Sequence, residues 1–379
     1  MPVFVPPRLR SNEPGDAQRR ATWLELFYDL VYVVVVAALA HELATGGSVL
    51  RFAALFVPVW WSWVGVTLYN DRFDTDDLGT RLITFLQMIG AAALALSIHG
   101  AFAAPGFALA YVALRALLIA QYVRVARYVP LARPLCARYA LGFSFAAALW
   151  LASLLLPAPW RYVLWGVAMI VDIGTPLTAR ALQAKLPLST SHLPERIGLF
   201  TIIVLGEAVA AIVRGIERPS IAAFLGGGLG LGIVFCLWWT YFDNMEEQVV
   251  RKTRVAGQVW FYAHLPLVMG ITAAAVGAEE LAKAALGAPF DAHGRWLLGG
   301  SVVVALLAMG TIHLTTATRT GPWEGKWRAS VRGASALLVL SLCAAGGLVP
   351  ALAFGVALAL VGIAQIWLEP ARAPAVHAS

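Results

Sequence analysis

The sequence predicts an all-α protein, a polytopic transmembrane bundle of about twelve helices, and three observations carry that expectation. Hydrophobic residues make up 60% of the 379 and charged residues 13%, with a mean hydropathy of +0.75. A soluble domain holds roughly 45–50% apolar and about 25% charged residues. The apolar residues are gathered into runs of about 20, the length a helix needs to cross hydrocarbon. Basic residues fall in short segments between alternate runs, where they set topology.

The elements follow in order. Residues 1–22 are polar and rich in Pro and Arg, and read as a cytoplasmic tail. The first apolar run already contains Glu25 and Asp29, unlike the core of a cleavable signal, so it is expected to be retained as a helix. The helices are expected at 23–43, 50–69, 80–103, 106–128, 137–156, 160–180, 194–214, 219–242, 255–279, 295–317, 331–348 and 350–369. Turn and charge clusters such as Asp71-Arg72-Phe73-Asp74 and Thr320-Gly321-Pro322-Trp323 separate them. The transmembrane domain is thus 23–369, and 370–379 forms a second cytoplasmic tail.

Orientation follows from the 28 Lys and Arg residues. With the N-terminus inside, Arg51, Arg161, Arg214, Arg218, Lys283 and Arg295 face outward, Arg115 lies within a span, and the other 21 face the cytoplasm. This bias predicts that both termini are cytoplasmic and that the helix count is even. An internal duplication is also expected, with halves 23–180 and 194–369. Glu25 is matched by Glu195, Trp60-Trp61-Ser62-Trp63 by Trp238-Trp239-Thr240-Tyr241, and Gly90 by Gly270. Six helices per half would give two parallel repeats, as in some transporters. Tryptophans also gather at the interfaces of membrane proteins in general, which accounts for the aromatic match without a repeat.

A charge inside hydrocarbon is costly, so it normally faces a cavity or a partner. Arg115, Asp172, Glu207 and His264 all fall near mid-bilayer, and the expected pairings are Arg115 with Asp172 and Glu207 with His264. They would be either packing ion pairs or a substrate and proton pathway. Glu25 and Asp29, one helical turn apart, share a face near the cytoplasmic end. Two carboxylates so close call for a cation, and Arg81 or Arg196 lies at the right depth. With His192 and Glu195 these residues are expected to form a cytoplasmic gate. Arg196 and Glu207, eleven residues apart, would lie on one helical stripe about 16 Å apart.

Several function classes are excluded or weak. A net charge of +7 suggests nucleic acid, but no basic stripe with interleaved aromatics is present. Cys136, Cys236 and Cys343 have no paired spacing, so neither a disulfide framework nor a metal site is expected. No phosphate loop, HExxH or GxSxG occurs, and the histidines lack a paired spacing on one helix, so no enzyme chemistry or cofactor is expected. Gly226, Gly228, Gly230 and Gly232 form small-xxx-small patterns suited to helix packing.

Two segments carry a family resemblance. Glu25-Leu26-Phe27-Tyr28-Asp29-Leu30-Val31-Tyr32 with His41, and His192-Leu193-Pro194-Glu195-Arg196-Ile197-Gly198 running on to Gly206-Glu207, resemble the bacterial low temperature requirement protein A (LtrA) family. Trp238-Trp239-Thr240-Tyr241-Phe242-Asp243 and Tyr262-Ala263-His264-Leu265-Pro266 are similar to further family segments. The resemblance implies a multi-pass inner-membrane protein with polar motif residues at these positions, His41, Trp239 and Asp243 among them. It implies no reaction or substrate. The expected function is a secondary transporter or permease for an ion or small polar solute. The alternative is a membrane sensor or scaffold whose buried charges are structural. The lipid bilayer is the one partner required.

Overall fold

The computed structural model describes residues 4–10, 20–189, 191–216, 220–243, 249–250, 255–285, 290–317, 322–345 and 349–369. A helix lies at each of the twelve expected places. They are α1 (Trp23–Ala44), α2 (Val49–Arg72), α3 (Leu78–Ser97), α4 (Gly106–Tyr128), α5 (Arg133–Ser153) and α6 (Trp160–Leu177). After a four-residue turn of helix, α7 (Arg180–Gln183), come α8 (His192–Arg214), α9 (Ile221–Phe242), α10 (Ala256–Ala285), α11 (Ala292–Thr315), α12 (Pro322–Ala345) and α13 (Ala351–Trp367). Ten of these are long and apolar enough to cross a membrane; α6 falls outside that set and α13 has 17 residues. The chain is a multi-pass helical membrane protein.

Local chemistry sets the helix starts. Thr22 and Glu25 form a reciprocal capping box on α1, and Ser48, Asp77, Ser220 and Asp291 cap α2, α3, α9 and α11. The outer faces stay apolar, as Leu141, Phe145, Ile170 and Phe224 illustrate. Such faces suit lipid, which needs no polar rim. All three cysteines are buried and free.

The chain divides into two compact units, 1–200 and 201–379. The division falls inside α8, whose first turns are tied by ion pairs to α1 and α2. In the first unit α4 packs on α2, α3 and α5, α1 packs on α2 and α3, and α6 covers α5. Two short antiparallel pairings also occur, β1 (Arg8–Leu9) with β2 (Phe73–Asp74), and in the second unit β3 (Val249–Val250) with β4 (Thr316–Ala317).

In the second unit α10 packs on α9, α11 and α13, and α11 on α12. Gly226 and Gly230 allow α9 to approach Ala282 and Ala278 of α10, as the small-xxx-small pattern suggested, whereas Gly228 and Gly232 face open space. Between α10 and α11 the backbones come close at Gly277, where a Cβ would sit 2.5 Å from the Leu298 Cα. Alanine would gain about 1 kcal/mol in helix propensity. The neighbour is backbone and cannot rotate away, so overpacking should win. Gly277→Ala is expected to lower stability by about 1–2 kcal/mol in detergent unfolding. An unchanged midpoint would show that α10 and α11 separate freely.

One expectation is corrected. Helix α12 begins at Pro322 rather than 331, so Arg328 and Arg332, counted as loop cations, are helical and buried. The matched tryptophan clusters differ in packing: Trp60, Trp61 and Trp63 are buried, whereas Trp238 and Trp239 are partly exposed.

Candidate functional site

The densest polar constellation lies where the start of α1, the end of α2 and the start of α8 meet. The capping box holds Glu25 in place, with its Oε2 accepting from the Thr22 backbone at 2.8 Å. Its Oε1 stands 3.2 Å from Arg196 Nη1. One turn deeper, Asp29 receives both Arg196 Nε at 3.0 Å and Nη2 at 2.6 Å. This is the fork geometry in which guanidinium and carboxylate interact most strongly. Trp63 Nε1 donates to the same Asp29 Oδ1 at 2.7 Å, and its ring stacks on Phe200 at 4.2 Å.

His192 extends the network. Its Nδ1 lies 2.9 Å from Asp71 Oδ1 and its Nε2 lies 3.5 Å from Glu25 Oε2. Asp71 Oδ2 accepts from the Ser189 backbone at 2.8 Å. Both ring nitrogens thus face carboxylates, which only accept, so a doubly protonated ring serves both contacts. Glu25, Asp29, Asp71, His192 and Arg196 are all buried.

The residues expected at a gate are brought together in part. Glu25, Asp29, His192 and Arg196 come together. Arg81 does not join them: it pairs with Asp76 at 3.0 Å on the surface. Glu195, in the first turn of α8, is partly exposed. Asp71, which the sequence placed in a turn, is the residue that reading missed. It occupies the last turn of α2, and the charge beside it concealed its burial.

Arg115 and Asp172 meet in the first unit. Arg115 Nε is 2.9 Å from Asp172 Oδ2, and the Tyr111 hydroxyl donates to that oxygen at 2.6 Å. Arg115 Nη2 also donates to the Trp61 carbonyl at 3.1 Å. Its guanidinium lies over the rings of Tyr111, Phe143 and Trp61 at 5.1, 5.4 and 5.9 Å. Aromatic faces and a carboxylate together replace the water a buried arginine gives up. Gly65 makes room for it, since a Cβ there would meet Arg115 Nη1 at 2.7 Å.

The expected pairing of Glu207 with His264 does not occur. Glu207 Oε1 accepts from Arg214 Nη2 at 2.6 Å, two turns along α8 and toward the exposed helix end. His264 is buried between the Trp260 carbonyl, 2.8 Å from Nδ1, and the Tyr241 hydroxyl, 3.0 Å from Nε2. A neutral ring satisfies both, donating to the carbonyl and accepting from the phenol. Similar depth along two helices does not decide which faces turn together. Arg196 and Glu207 both lie on α8, and each engages its own partners. His41 is exposed at the end of α1, and Trp239 is partly exposed beside Asp243, which caps α9.

Sequence reading missed two further clusters. Asp77 caps α3 through the Thr80 N–H at 2.7 Å, accepts from the Val5 backbone at 2.9 Å and pairs with Arg124 Nη2 at 2.5 Å. Burial alone would raise its carboxyl pKa, but Arg124 and these backbone donors hold it well below the usual carboxylate range. A depressed pKa stabilises the fold above the unfolded value near 3.9, and that contribution is lost as pH falls toward the folded value. Acid unfolding of Asp77→Asn is therefore expected to be less steep below about pH 4 than that of wild type. Superimposable acid limbs, recorded by circular dichroism, would remove Asp77 from the acid response.

The second cluster joins α12 to the end of α13. Arg332 contacts Glu369 and donates to Gln365 Oε1 at 2.8 Å, while Arg328 Nε donates to Glu369 Oε2 at 2.9 Å. Glu324, Arg328 and Arg332 recur every fourth residue, the period that would have revealed a helical face.

Apolar helices that enclose arginines and carboxylates define a polytopic membrane protein built around internal charge networks. Over residues 20–366 the chain matches the family model described as Bacterial low temperature requirement A protein (LtrA). It belongs to that family. It is also similar to an uncharacterized protein of Rhizobium meliloti (strain 1021), with 29% identity over 287 residues, 69% of each chain.

Proposed function

We propose that this protein is a proton-coupled secondary transporter of an ion or small polar solute. It would reside in the bacterial inner membrane with both termini cytoplasmic, and the network around His192 would be its proton-binding element. One observation carries this reading: three buried carboxylates, Glu25, Asp29 and Asp71, are chained together through Arg196 and His192. With His192 protonated these five side chains sum to one negative charge. A single added proton or monovalent cation neutralises them, and buried charge is tolerated best when balanced. Transport also fits the lack of a nucleophile motif.

Purified protein in liposomes with an entrapped pH dye tests the proposal. Alkali cations, ammonium, amino acids and small organic acids would be added singly. At least one is expected to change internal pH with wild type, and His192→Gln should abolish the change while Glu207→Gln should not. Absence of any response from folded wild type overturns transport. The bland alternative, a scaffold or sensor with structural charges, is favoured by the aromatic enclosure of Arg115, which holds that cation in one arrangement.

A further inference from the structure

A groove of about 390 Å³ runs between α5 and α6 and opens along one side. Arg138 and Thr178 form its mouth, at the ends of the two helices, and Phe145 and Val171 lie two turns deeper. The helices nearly touch at Gly142, where a Cβ would fall 2.2 Å from Thr175 Oγ1. At Gly174 a Cβ would meet nothing within 4 Å, so that wall stays recessed. Leu141 and Phe145 present exposed apolar surface along the opening.

The mouth is basic. Arg127, Arg133, Arg138, Arg180 and Lys185 are exposed on the segments that converge at this end. Between residues 120 and 190 the one acidic residue is Asp172, which is buried against Arg115. No exposed carboxylate from this stretch competes for the guanidinium of Arg138. One Arg138 nitrogen donates to Thr178 Oγ1 at 2.8 Å, which fixes the side chain across the mouth. A guanidinium has five N–H donors, so one hydroxyl partner leaves capacity for an anion.

We propose that this groove binds an anionic phospholipid, with its phosphate at Arg138 and one acyl chain along Leu141, Phe145 and Gly174. A charged mouth above an apolar channel matches the two ends of such a lipid, and a basic pocket between spans is a recognised headgroup environment. The inference rests on the membrane architecture and is independent of transport.

Native mass spectrometry of the detergent-purified protein tests it, with phosphatidylglycerol and phosphatidylcholine as probes. Wild type is expected to retain one phosphatidylglycerol per chain in preference to phosphatidylcholine. Arg138→Gln, on the exposed rim, should weaken phosphatidylglycerol about five-fold, the worth of one basic contact at an anionic surface. Gly174→Leu should fill the channel and weaken both lipids. Equal retention of the two lipids by wild type would overturn the proposal, as would an unchanged Arg138→Gln. Displacement by inorganic phosphate alone would assign the site to a free anion, and a lipid-resistant dimer would assign the groove to a second copy; either result overturns the lipid reading.

Discussion

Replacing Arg196 with methionine is expected to lower the unfolding free energy by about 3–5 kcal/mol, the cost of removing one partner from a buried ion pair. The substitution keeps the length and apolar stem of the side chain. What it removes is the guanidinium that Asp29 receives through two hydrogen bonds and that Glu25 faces at 3.2 Å. Two buried carboxylates would then stand one turn apart with no arginine between them. Asp29→Leu added to Arg196→Met should restore part of the loss, because an apolar replacement of both partners has no stranded charge. Unfolding by denaturing detergent, followed by circular dichroism, measures both variants. A loss below about 1 kcal/mol for Arg196→Met would place the pair among those exposed to water.

The second large effect is expected at Arg115 and Asp172. Arg115→Gln and Asp172→Asn should each cost about 3 kcal/mol or more, since either leaves its partner charged and buried. The double variant should lose less than the sum, with a coupling of about 1–3 kcal/mol for residues in direct contact. Strict additivity would show that the 2.9 Å contact contributes nothing of its own. Tyr111 gives a further check. Its hydroxyl donates to Asp172 and accepts from Arg115, so Tyr111→Phe removes a bridge from both at once.

The helices were legible because hydrocarbon imposes one requirement everywhere: a long run of apolar residues. Where that requirement is relaxed, legibility failed. The first turns of α12 carry Glu324, Lys326, Arg328 and Arg332, and they read as loop until Glu369 and Gln365 of α13 are seen beside them. Glu25 and Asp29 announced a missing cation, because two carboxylates one turn apart are unfavourable alone. Of the two arginines that depth allowed, only packing could choose Arg196, since Arg81 has its own neighbour in Asp76. The same limit explains Glu207 and His264. Cost in the membrane says that a buried polar group needs a partner, but a phenol or a carbonyl serves as well as a charge. Tyr241 and the Trp260 carbonyl were invisible to an inventory of ionisable residues.

The short segment 4–10 carries a practical consequence. Val5 exchanges hydrogen bonds with Asp77 and Arg124, Phe4 lies under the Arg124 guanidinium at 4.9 Å, and the Arg10 N–H donates to the Arg72 carbonyl. These residues are stitched onto the ends of α2, α3 and α4 although they belong to no span. Removing Phe4 through Arg10 would therefore act like a core mutation, uncovering the Asp77 carboxylate and its guanidinium together.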